Sequence, residues 1–450
     1  MKYKKKISVI GLGYVGLATF LILSNLKKNN KFLYKVIGIE KNSYHGNQIK
    51  RHFYNKKNWI LSSDIKFKRL FNNTVNRKDI LITTNINQAI DSDIILVSVG
   101  LEVIKKGSRE GFLKLCSQIS KNIKKGALVI FESTLPPGTC NNLILPIFKK
   151  NLKKRGINLD DIYFAYSYER VTPGDNYINS IISSPRCYSG MNTVSKKKCF
   201  NFLKTFINSK KYKLTEFNNL TECETSKILE NSYRAINIAF IDEWTKFAPK
   251  LEIDLLKIIN AIKLRPTHSN LMKPGIGVGG YCLTKDPNFM NYSAKSLFKT
   301  KCQFPIINSS IKINKDMPKT SFEYLKLKTE LIGKKILVCG LTYKEDTNDI
   351  RNSPTLDLIK LLWKKSSSIS VYDPWVEKIN LHSKKIKLVN IPDFKHDIII
   401  FTVAHKIFKK IDFGKINKKT KVFDLNNCVS TNQINRLKRK KIQINILGRN

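Results

Sequence analysis

The chain has 450 residues, of which 42% are hydrophobic, and this length allows large buried cores and about three domains. It carries 81 Lys and Arg against 34 Asp and Glu, but these cations are spread from end to end, without a zinc-finger pattern or an aromatic RNA-binding signature. Nucleic-acid binding is therefore disfavoured as the main function. Nine cysteines without a Cys-x-x-Cys pair argue against a disulfide framework and a metal site, and they indicate a reducing cytoplasm.

The chain begins with the lysine-rich residues 1–6, followed by the uncharged stretch Ile7–Leu26, a combination that signal peptides and membrane anchors share. Three glycines interrupt this stretch, however, and it has no Ala-x-Ala cleavage pattern. We therefore expect a strand over 6–10, a tight turn and a helix to about Leu26, with no membrane insertion.

The turn has the sequence Gly11-Leu-Gly13-Tyr-Val-Gly16, the spacing of a dinucleotide-binding fingerprint. In such a loop the first Gly makes the turn, the second admits a pyrophosphate and the third allows helix and strand to pack closely. A second strand, Lys35–Ile39, ends at Glu40, where an acid binds the adenosine ribose hydroxyls and repels a 2′-phosphate. This arrangement favours NAD over NADP, and the alternative is that Glu40 is only a solvated charge at a strand end.

Further apolar strands are predicted at 79–83, 93–99, 127–131 and 162–166, separated by helical stretches, as in a doubly wound sheet. Ligands of such sheets bind beyond the carboxyl ends of the strands. Glu132 and Thr134 follow one of these strands, and Glu169 and Arg170 follow the next. They are candidate site residues, although a single charge at such a position is more often only a loop charge.

From 220 to 262 the sequence is helical in character, and a second helical block covers Phe304–Lys328. Lys227 and Asn231 are four residues apart and so share one helical face. Together they could bind a hydroxyl or an oxyanion. The alternative is a solvated polar stripe.

Between these blocks lies the segment Gly277–Pro287, where three glycines precede Cys282, and Lys285 and Asp286 follow it. Glycines allow a backbone to pass close to a ligand, and a nearby cation favours the thiolate, which is the nucleophilic form of cysteine. A lone cysteine is more often a small buried residue. Here the neighbouring residues favour a nucleophile.

After a boundary near Gly333, strands at 335–340, 369–373, 397–402 and 421–424 indicate a second α/β sheet. We therefore predict an α/β fold with two Rossmann-like, doubly wound parallel-sheet domains joined by a helical central domain. The predicted domains are 1–208 for NAD binding, 209–328 for the helical domain with the cysteine loop (Gly277–Pro287), and 329–450 for the second α/β sheet.

Taken together, these motifs resemble those of the UDP-glucose/GDP-mannose dehydrogenase family, whose members oxidise the C6 alcohol of a nucleotide sugar to a carboxylate. The resemblance covers nearly the whole chain and rests on the motifs at 11–16, 132–139, 169–171, 279–286 and 340–354, with Lys227 and Asn231. It implies that the C-terminal domain, 329–450, binds the UDP-sugar. It also implies that the chain uses NAD for a four-electron oxidation, in which Cys282 forms a thiohemiacetal and then a thioester.

The resemblance also implies a role for each of five further residues. Lys227 and Asn231 stabilise negative charge on the C6 oxygen, and Asp286, through a water, serves as the base for alcohol oxidation. Glu169 activates the hydrolytic water, and Thr134 orders water or substrate.

Further site residues fall into two groups. Cofactor contacts are expected from Gly11, Gly13, Tyr14, Val15, Gly16, Glu40, Glu132 and Lys285. Substrate contacts are expected from Arg170, Arg265, His268, Gly279, Tyr281, Lys344 and Arg351. Of these, Arg265 or His268 would reach the site of a neighbouring subunit.

Two clues to the sugar disagree. The loop beginning Glu169-Arg-Val is similar to the branch that oxidises UDP-N-acetylhexosamines, whereas Cys282-x-x-Lys-Asp is similar to the UDP-glucose branch. We favour an N-acetylated sugar, used for polysaccharide precursors, with UDP-glucose as the alternative. A two-electron NAD dehydrogenase and a non-catalytic nucleotide-binding protein are further alternatives. A homodimer or higher homo-oligomer is expected from the helical domain.

Overall fold

A computed structural model describes residues 5–60, 62–89, 91–103, 105–377, 386–413 and 416–449, so residues 1–4 of the lysine-rich start lie outside the described residues. The chain divides into two compact units. The first consists of Met1–Glu230 with Asn288–Gln303, and the second of Asn231–Pro287 with Phe304–Asn450.

The first unit contains a large sheet and a short hairpin. Its described strands are β1 (Lys5–Ile10), β2 (Lys27–Lys28), β3 (Lys31–Phe32), β4 (Tyr34–Ile39), β5 (Leu81–Thr83), β6 (Ile94–Val97), β7 (Leu128–Phe131), β8 (Tyr163–Tyr166), β9 (Arg186–Gly190) and β10 (Leu214–Glu216). The sheet has the order β10-β9-β8-β7-β6-β1-β4-β5, and β2 pairs with β3 as a separate hairpin. Neighbouring strands of the large sheet run parallel except β8 and β9, which are antiparallel.

Helices cover this sheet, and further helices belong to the second unit. In chain order they are α1 (Tyr14–Asn25), α2 (Tyr44–Tyr54), α3 (Ile65–Val75), α4 (Lys106–Asn122), α5 (Leu145–Lys153), α6 (Tyr177–Ile182), α7 (Thr193–Leu203), α8 (Leu220–Leu251), α9 (Leu255–Ile262), α10 (Asn288–Tyr292), α11 (Pro305–Lys328), α12 (Pro354–Trp363) and α13 (Thr431–Arg439). Side chains fix several of their first turns. For example, Asp64 accepts hydrogen bonds from the N–H groups of Lys66 and Phe67 at the start of α3.

Both faces of the large sheet are buried, because successive strand residues point to opposite sides. In β6, Ile94 and Leu96 belong to one hydrophobic core, and Ile95 and Val97 belong to the other. Continuous apolar strands of this kind are typical of parallel sheets covered by helices on both faces.

The second unit contains a six-stranded sheet that is parallel throughout. Its strands are β11 (Lys335–Cys339), β12 (Ser368–Tyr372), β13 (Ile386–Leu388), β14 (Ile398–Phe401), β15 (Lys421–Asp424) and β16 (Ile444–Ile446). Their order is β13-β12-β11-β14-β15-β16. As in the first unit, alternate residues of the central strands fill two separate cores.

The predicted fold class is confirmed: two Rossmann-like sheets are accompanied by a helical central region. Two details differ from the prediction. The first sheet is not wholly parallel, since β9 runs against β8. The helical stretch 220–262 is broken after Leu251, because Glu252 adopts a left-handed conformation with φ of 54°. The domain bounds 1–208, 209–328 and 329–450 stay a prediction.

A buried carboxylate fixes the loop after β7. Glu224 of α8 accepts hydrogen bonds from the N–H groups of Gly138 at 2.6 Å and Cys140 at 2.8 Å. The carboxylate is wholly buried, and this desolvation raises the pKa of Glu224 from 4.5 to about 7.

The folded chain therefore binds a proton on Glu224 between pH 4.5 and about 7, whereas the unfolded chain has released it. Consequently the free energy of unfolding should fall as the pH rises through this interval, with a contribution of up to ~3 kcal/mol from this group. Glu224→Gln should remove that contribution, as measured by urea unfolding at a series of pH values. Glu243→Gln, an exposed acid on the same helix, should keep the wild-type slope, and an unchanged slope in Glu224→Gln would contradict the assignment.

Candidate active site

The glycine fingerprint lies between β1 and α1, with each glycine in a distinct environment. Gly11 has a φ of +89°, and a Cβ added there would lie 2.7 Å from the carbonyl oxygen of Ser98. A Cβ on Gly16 would lie only 1.8 Å from the carbonyl oxygen of Gly11. At Gly13, in contrast, an added Cβ meets no heavy atom within 4 Å. The loop is therefore tight on its protein side and open where α1 begins, the geometry that suits a phosphate.

Glu40 lies beside this loop, at the end of β4. Its carboxylate accepts a hydrogen bond from the N–H of Leu12 at 2.8 Å and another from the N–H of Lys41 at 3.1 Å. An acid at the end of the second strand binds the adenosine ribose in dinucleotide-binding folds, and this role for Glu40 stays a prediction. Tyr14 and Val15 form the first turn of α1.

The strand-end residue Glu132 is part of a buried ion pair. Its carboxylate is bonded to the guanidinium of Arg186 and accepts a hydrogen bond from the hydroxyl of Ser98 at 2.8 Å. Arg186 also donates to the carbonyl oxygen of Ser167 at 3.0 Å. Glu132 thus ties three strand ends together. Thr134, two residues further on, is half-buried.

The loop after β8 carries Glu169 and Arg170. Lys227 of α8 donates from its Nζ to the carbonyl oxygen of Glu169 at 2.8 Å, and this Nζ lies 5.2 Å from the centre of the Tyr168 ring. Arg170 pairs with Glu230 of α8 at 3.0 Å. Lys227 and Glu169 are buried apart from 7% and 9% of their surfaces, so Lys227 is not the solvated lysine of the alternative interpretation.

In the second unit, the cysteine loop forms a compact turn around Cys282. The carbonyl oxygen of Cys282 accepts the N–H groups of Lys285 at 3.1 Å and Asp286 at 2.8 Å. The carboxylate of Asp286 is fully buried and accepts from Asn231 Nδ2 at 2.7 Å and from Lys285 Nζ at 2.5 Å. Cys282 itself is exposed and is not in a disulfide. The thiol of Cys282 is thus exposed to solvent, on a loop that these hydrogen bonds hold in place.

The glycines before Cys282 allow close packing. A Cβ on Gly279 or on Gly280 would lie 2.6 Å from a side-chain atom of Tyr343. Two cations lie close to the ring of Tyr281, with Lys285 Nζ at 4.6 Å and the guanidinium carbon of Arg351 at 5.3 Å from its centre.

The loop after β11 brings the predicted phosphate ligands Lys344 and Arg351 into the same unit. Arg351 binds Asp349, with distances of 2.9 and 2.5 Å to the two carboxylate oxygens. Burial lowers the pKa of Lys344, the nearby Glu345 opposes this shift, and Arg234 adds to it. Arg234 therefore adds positive charge near Lys344.

At the start of this loop an acid accepts backbone N–H groups, as Glu40 does in the first sheet. Gly340 has a φ of +105°, and Asp373, which follows β12, accepts the N–H groups of Leu341 at 2.6 Å and Thr342 at 3.0 Å. The second sheet therefore has an acid-braced loop after its first strand, although it has no Gly-x-Gly-x-x-Gly sequence.

Arg265 and His268 lie on an exposed turn at Pro266–His268. The N–H of His268 donates to the carbonyl oxygen of Arg265 at 2.9 Å, and its Nδ1 lies 2.8 Å from the hydroxyl of Thr267. These contacts stay within the turn, so a role for either side chain in substrate binding remains a prediction.

Sequence reasoning missed three residues that hold the candidate site. Arg186 and Glu224 are buried partners of the loop after β7, and Asn352 is bonded to the cysteine loop. Neither Arg186 nor Glu224 lies in a motif. Asn352 had a weak signal, because it stands between Arg351 and the Ser-Pro start of α12, where a turn is expected.

Among the residues described, no helix combines the length and the apolar character needed to cross a membrane.

Comparison with known proteins gives consistent matches along the chain. Three family models match: the NAD binding domain of the UDP-glucose/GDP-mannose dehydrogenase family over 5–206, its central domain over 221–316 and its UDP binding domain over 337–431. A UDP-N-acetyl-D-mannosamine dehydrogenase of Methanococcus vannielii is 30% identical over 99% of this chain and 97% of its own length. A Campylobacter jejuni protein of the same name is 29% identical, over 92% of this chain and 99% of its own length.

A solved structure of a UDP-D-ManNAc dehydrogenase from Pyrococcus horikoshii covers 99% of both chains, with a TM-score of 0.79 and 25% identity. The protein is therefore an NAD-dependent dehydrogenase that belongs to the UDP-glucose/GDP-mannose dehydrogenase family.

Proposed function

We propose that this enzyme oxidises the C6 alcohol of UDP-N-acetyl-D-mannosamine to the uronate, in a four-electron reaction that passes through a covalent intermediate on Cys282. The observation that carries the proposal is the cysteine loop. An exposed thiol stands on a turn whose buried carboxylate, Asp286, is bonded to both Asn231 and Lys285. A two-electron dehydrogenase needs no such thiol. The product would serve as a polysaccharide precursor.

The residues present fit NAD. The backbone at Gly13 is open at the N-terminus of α1, and Glu40 lies next to the glycine loop. Gly11, Gly13 and Gly16, with Tyr14 and Val15, would hold the pyrophosphate, and Glu40 would hold the ribose. Bound there, NAD supplies a hydride acceptor. Glu132 is buried and would influence the cofactor through its bond to Ser98. Lys285 would influence it through its contact with Asp286.

The choice of sugar rests on the relatives and on one loop. The two matched sequences are named for UDP-N-acetyl-D-mannosamine, and the loop beginning Glu169-Arg-Val also favours an N-acetylated sugar. Lys344 and Arg351 would bind the diphosphate. Gly279 and Tyr281 would line the sugar side, and Arg170 would fix the Glu169 loop through Glu230.

The protein groups divide the chemistry into two oxidations and a hydrolysis. Asp286, which is fully buried, takes the proton of the C6 hydroxyl through a water, and Lys227 and Asn231 stabilise charge on that oxygen. Cys282 Sγ then forms a bond to the aldehyde carbon, and the carbonyl oxygen gains a proton, which gives a thiohemiacetal. Its oxidation gives a thioester.

In the last step Glu169 takes a proton from a water that Thr134 helps to order. The water oxygen bonds to the thioester carbon, the carbon–sulfur bond breaks, and Cys282 leaves as the thiolate. In total, one alcohol, one water and two NAD yield one carboxylate, two NADH and three protons.

Cys282→Ala should abolish formation of the acid, because no sulfur can hold the aldehyde for the second oxidation. We expect at least a ~10³-fold lower rate of uronate formation, measured by mass spectrometry of the product. Binding of UDP-N-acetyl-D-mannosamine, measured by calorimetry, should change little.

Cys302→Ala is the matched control, since Cys302 is the other exposed cysteine among the described residues. It should keep the wild-type rate. Undiminished acid production by Cys282→Ala would refute the covalent route. Parallel assays with UDP-glucose, UDP-GlcNAc and UDP-GalNAc test the sugar, and faster turnover of any of these would overturn the assignment.

Glu40→Ala should raise the KM for NAD and relax the discrimination against NADP, because it removes both the ribose acceptor and the negative charge. We expect the ratio of kcat/KM for NAD over NADP to fall by roughly tenfold or more, equivalent to the loss of one charged hydrogen bond. Steady-state kinetics with both cofactors measure this ratio. An unchanged ratio would mean that Glu40 acts only as the brace of the loop at Leu12.

We also propose that α8 and α9 join two copies of the chain. Within the second unit, large apolar side chains are exposed at helical spacing on one stripe of α8: Tyr233, Phe240, Trp244, Phe247 and Leu251. Ile258 and Ile262 of α9 are also exposed. A second copy is the occupant that fits, because a helical apolar stripe is self-complementary about a two-fold axis. Arg265 or His268, just after α9, would then reach the partner's site.

The double variant Trp244→Glu/Phe247→Glu should convert a dimer to a monomer, because charges cannot be buried in an apolar interface without partners. Light scattering coupled to gel filtration measures the mass. Ile332→Glu, at an exposed apolar residue outside α8 and α9, should leave the dimer intact. A wild-type monomer, or a double variant that stays dimeric, would contradict the proposal.

A further inference from the structure

The cysteine loop is hydrogen-bonded to the loop between β11 and α12, and both belong to the second unit. Asn352 donates from its Nδ2 to the carbonyl oxygen of Gly280 at 3.0 Å and to the hydroxyl oxygen of Thr284 at 3.1 Å. In return, the N–H of Gly280 donates to the carbonyl oxygen of Arg351 at 2.9 Å. One side chain therefore binds the cysteine loop on both sides of Cys282.

Packing reinforces these hydrogen bonds. Tyr343 lies so close to Gly279 and Gly280 that an added Cβ on either would approach it to 2.6 Å. The N–H of Tyr343 donates to the carbonyl oxygen of Asp349 at 3.0 Å, which closes the β11–α12 loop on itself. A movement of this loop would therefore push directly on the backbone before Cys282.

The backbone conformation at position 352 is one that suits asparagine. It has a φ of 50°, a left-handed conformation that asparagine tolerates better than most residues. It directly follows Arg351, which binds Asp349 and lies over the ring of Tyr281. The residue that contacts the cysteine loop is thus one peptide bond away from a predicted phosphate ligand.

We propose that Asn352 is a positioning residue, which couples occupation of the β11–α12 loop by a uridine diphosphate group to the placement of Cys282. A ligand held by Lys344 and Arg351 would fix the β11–α12 loop, and Asn352 would pass that constraint to Gly280 and Thr284. The sulfur would then be set for attack only while a nucleotide is bound. This proposal rests on the proposed function of Cys282.

Asn352→Gly is the sharpest test, because glycine adopts a φ of 50° without strain but has no donor. We expect kcat for UDP-N-acetyl-D-mannosamine to fall about tenfold and KM to stay within about threefold, because orientation is lost while binding groups remain. UDP should change the rate of iodoacetamide alkylation at Cys282 by about fivefold in the wild type. In Asn352→Gly it should leave this rate unchanged. Peptide mass spectrometry in a Cys302→Ala background resolves the alkylated residue.

Asn30→Gly is the matched control, since Asn30 is exposed and also has a left-handed φ, of 59°. It should behave as the wild type. Thr284→Val removes one of the two acceptors of Asn352 and should give an intermediate loss of coupling, which keeps the test decisive if Asn352→Gly folds poorly. A wild-type kcat with intact UDP coupling in both variants would overturn the inference. Undiminished acid formation by Cys282→Ala would instead refute the proposed function, so the two failures are distinguishable.

Discussion

The buried carboxylate of Asp286 is the interaction on which the candidate site depends. It receives the amide of Asn231 and the ammonium of Lys285, and its own N–H and that of Lys285 close on the carbonyl oxygen of Cys282. A buried charge is costly unless it is hydrogen-bonded and paired, so this set strongly favours one loop conformation. The same groups that hold the loop are those assigned to charge stabilisation and proton transfer, so structure and chemistry are inseparable there.

In both sheets an acid holds the loop that follows the first strand. In the first, Glu40 accepts the N–H of Leu12 beside the glycine fingerprint, and in the second, Asp373 accepts the N–H groups of Leu341 and Thr342. In each case an acid following the second strand of the βαβ unit braces the turn after the first strand. The turn itself needs a glycine with positive φ, Gly11 in one sheet and Gly340 in the other. In each unit these bonds hold the loop at the carboxyl end of the first strand, the edge at which parallel sheets commonly bind ligands.

Local patterns were sufficient to predict the fold class and the glycine loop, and they favoured an accessible Cys282 over a buried one. Strands of the two sheets are short apolar runs, and the glycine spacing reflects the positive φ of Gly11 and the close packing at Gly16. Long-range pairing could not be predicted in this way. Arg186 and Glu132 are 54 residues apart in sequence, and Glu224 and Gly138 are 86 apart. The reversal of β9 likewise depends on pairing between distant segments. The break after Leu251 does have a local signal, because Asp254 caps the first turn of α9.

The central claim is that an acyl group is carried on Cys282 during turnover, and acid quenching followed by peptide mass spectrometry tests it most directly. During steady-state oxidation of UDP-N-acetyl-D-mannosamine, the peptide that contains Cys282 should carry the mass of the sugar-nucleotide acyl group, and hydroxylamine should remove it, as expected of a thioester. An unmodified Cys282 peptide throughout turnover, together with an adduct elsewhere or with free aldehyde as the product, would contradict the account.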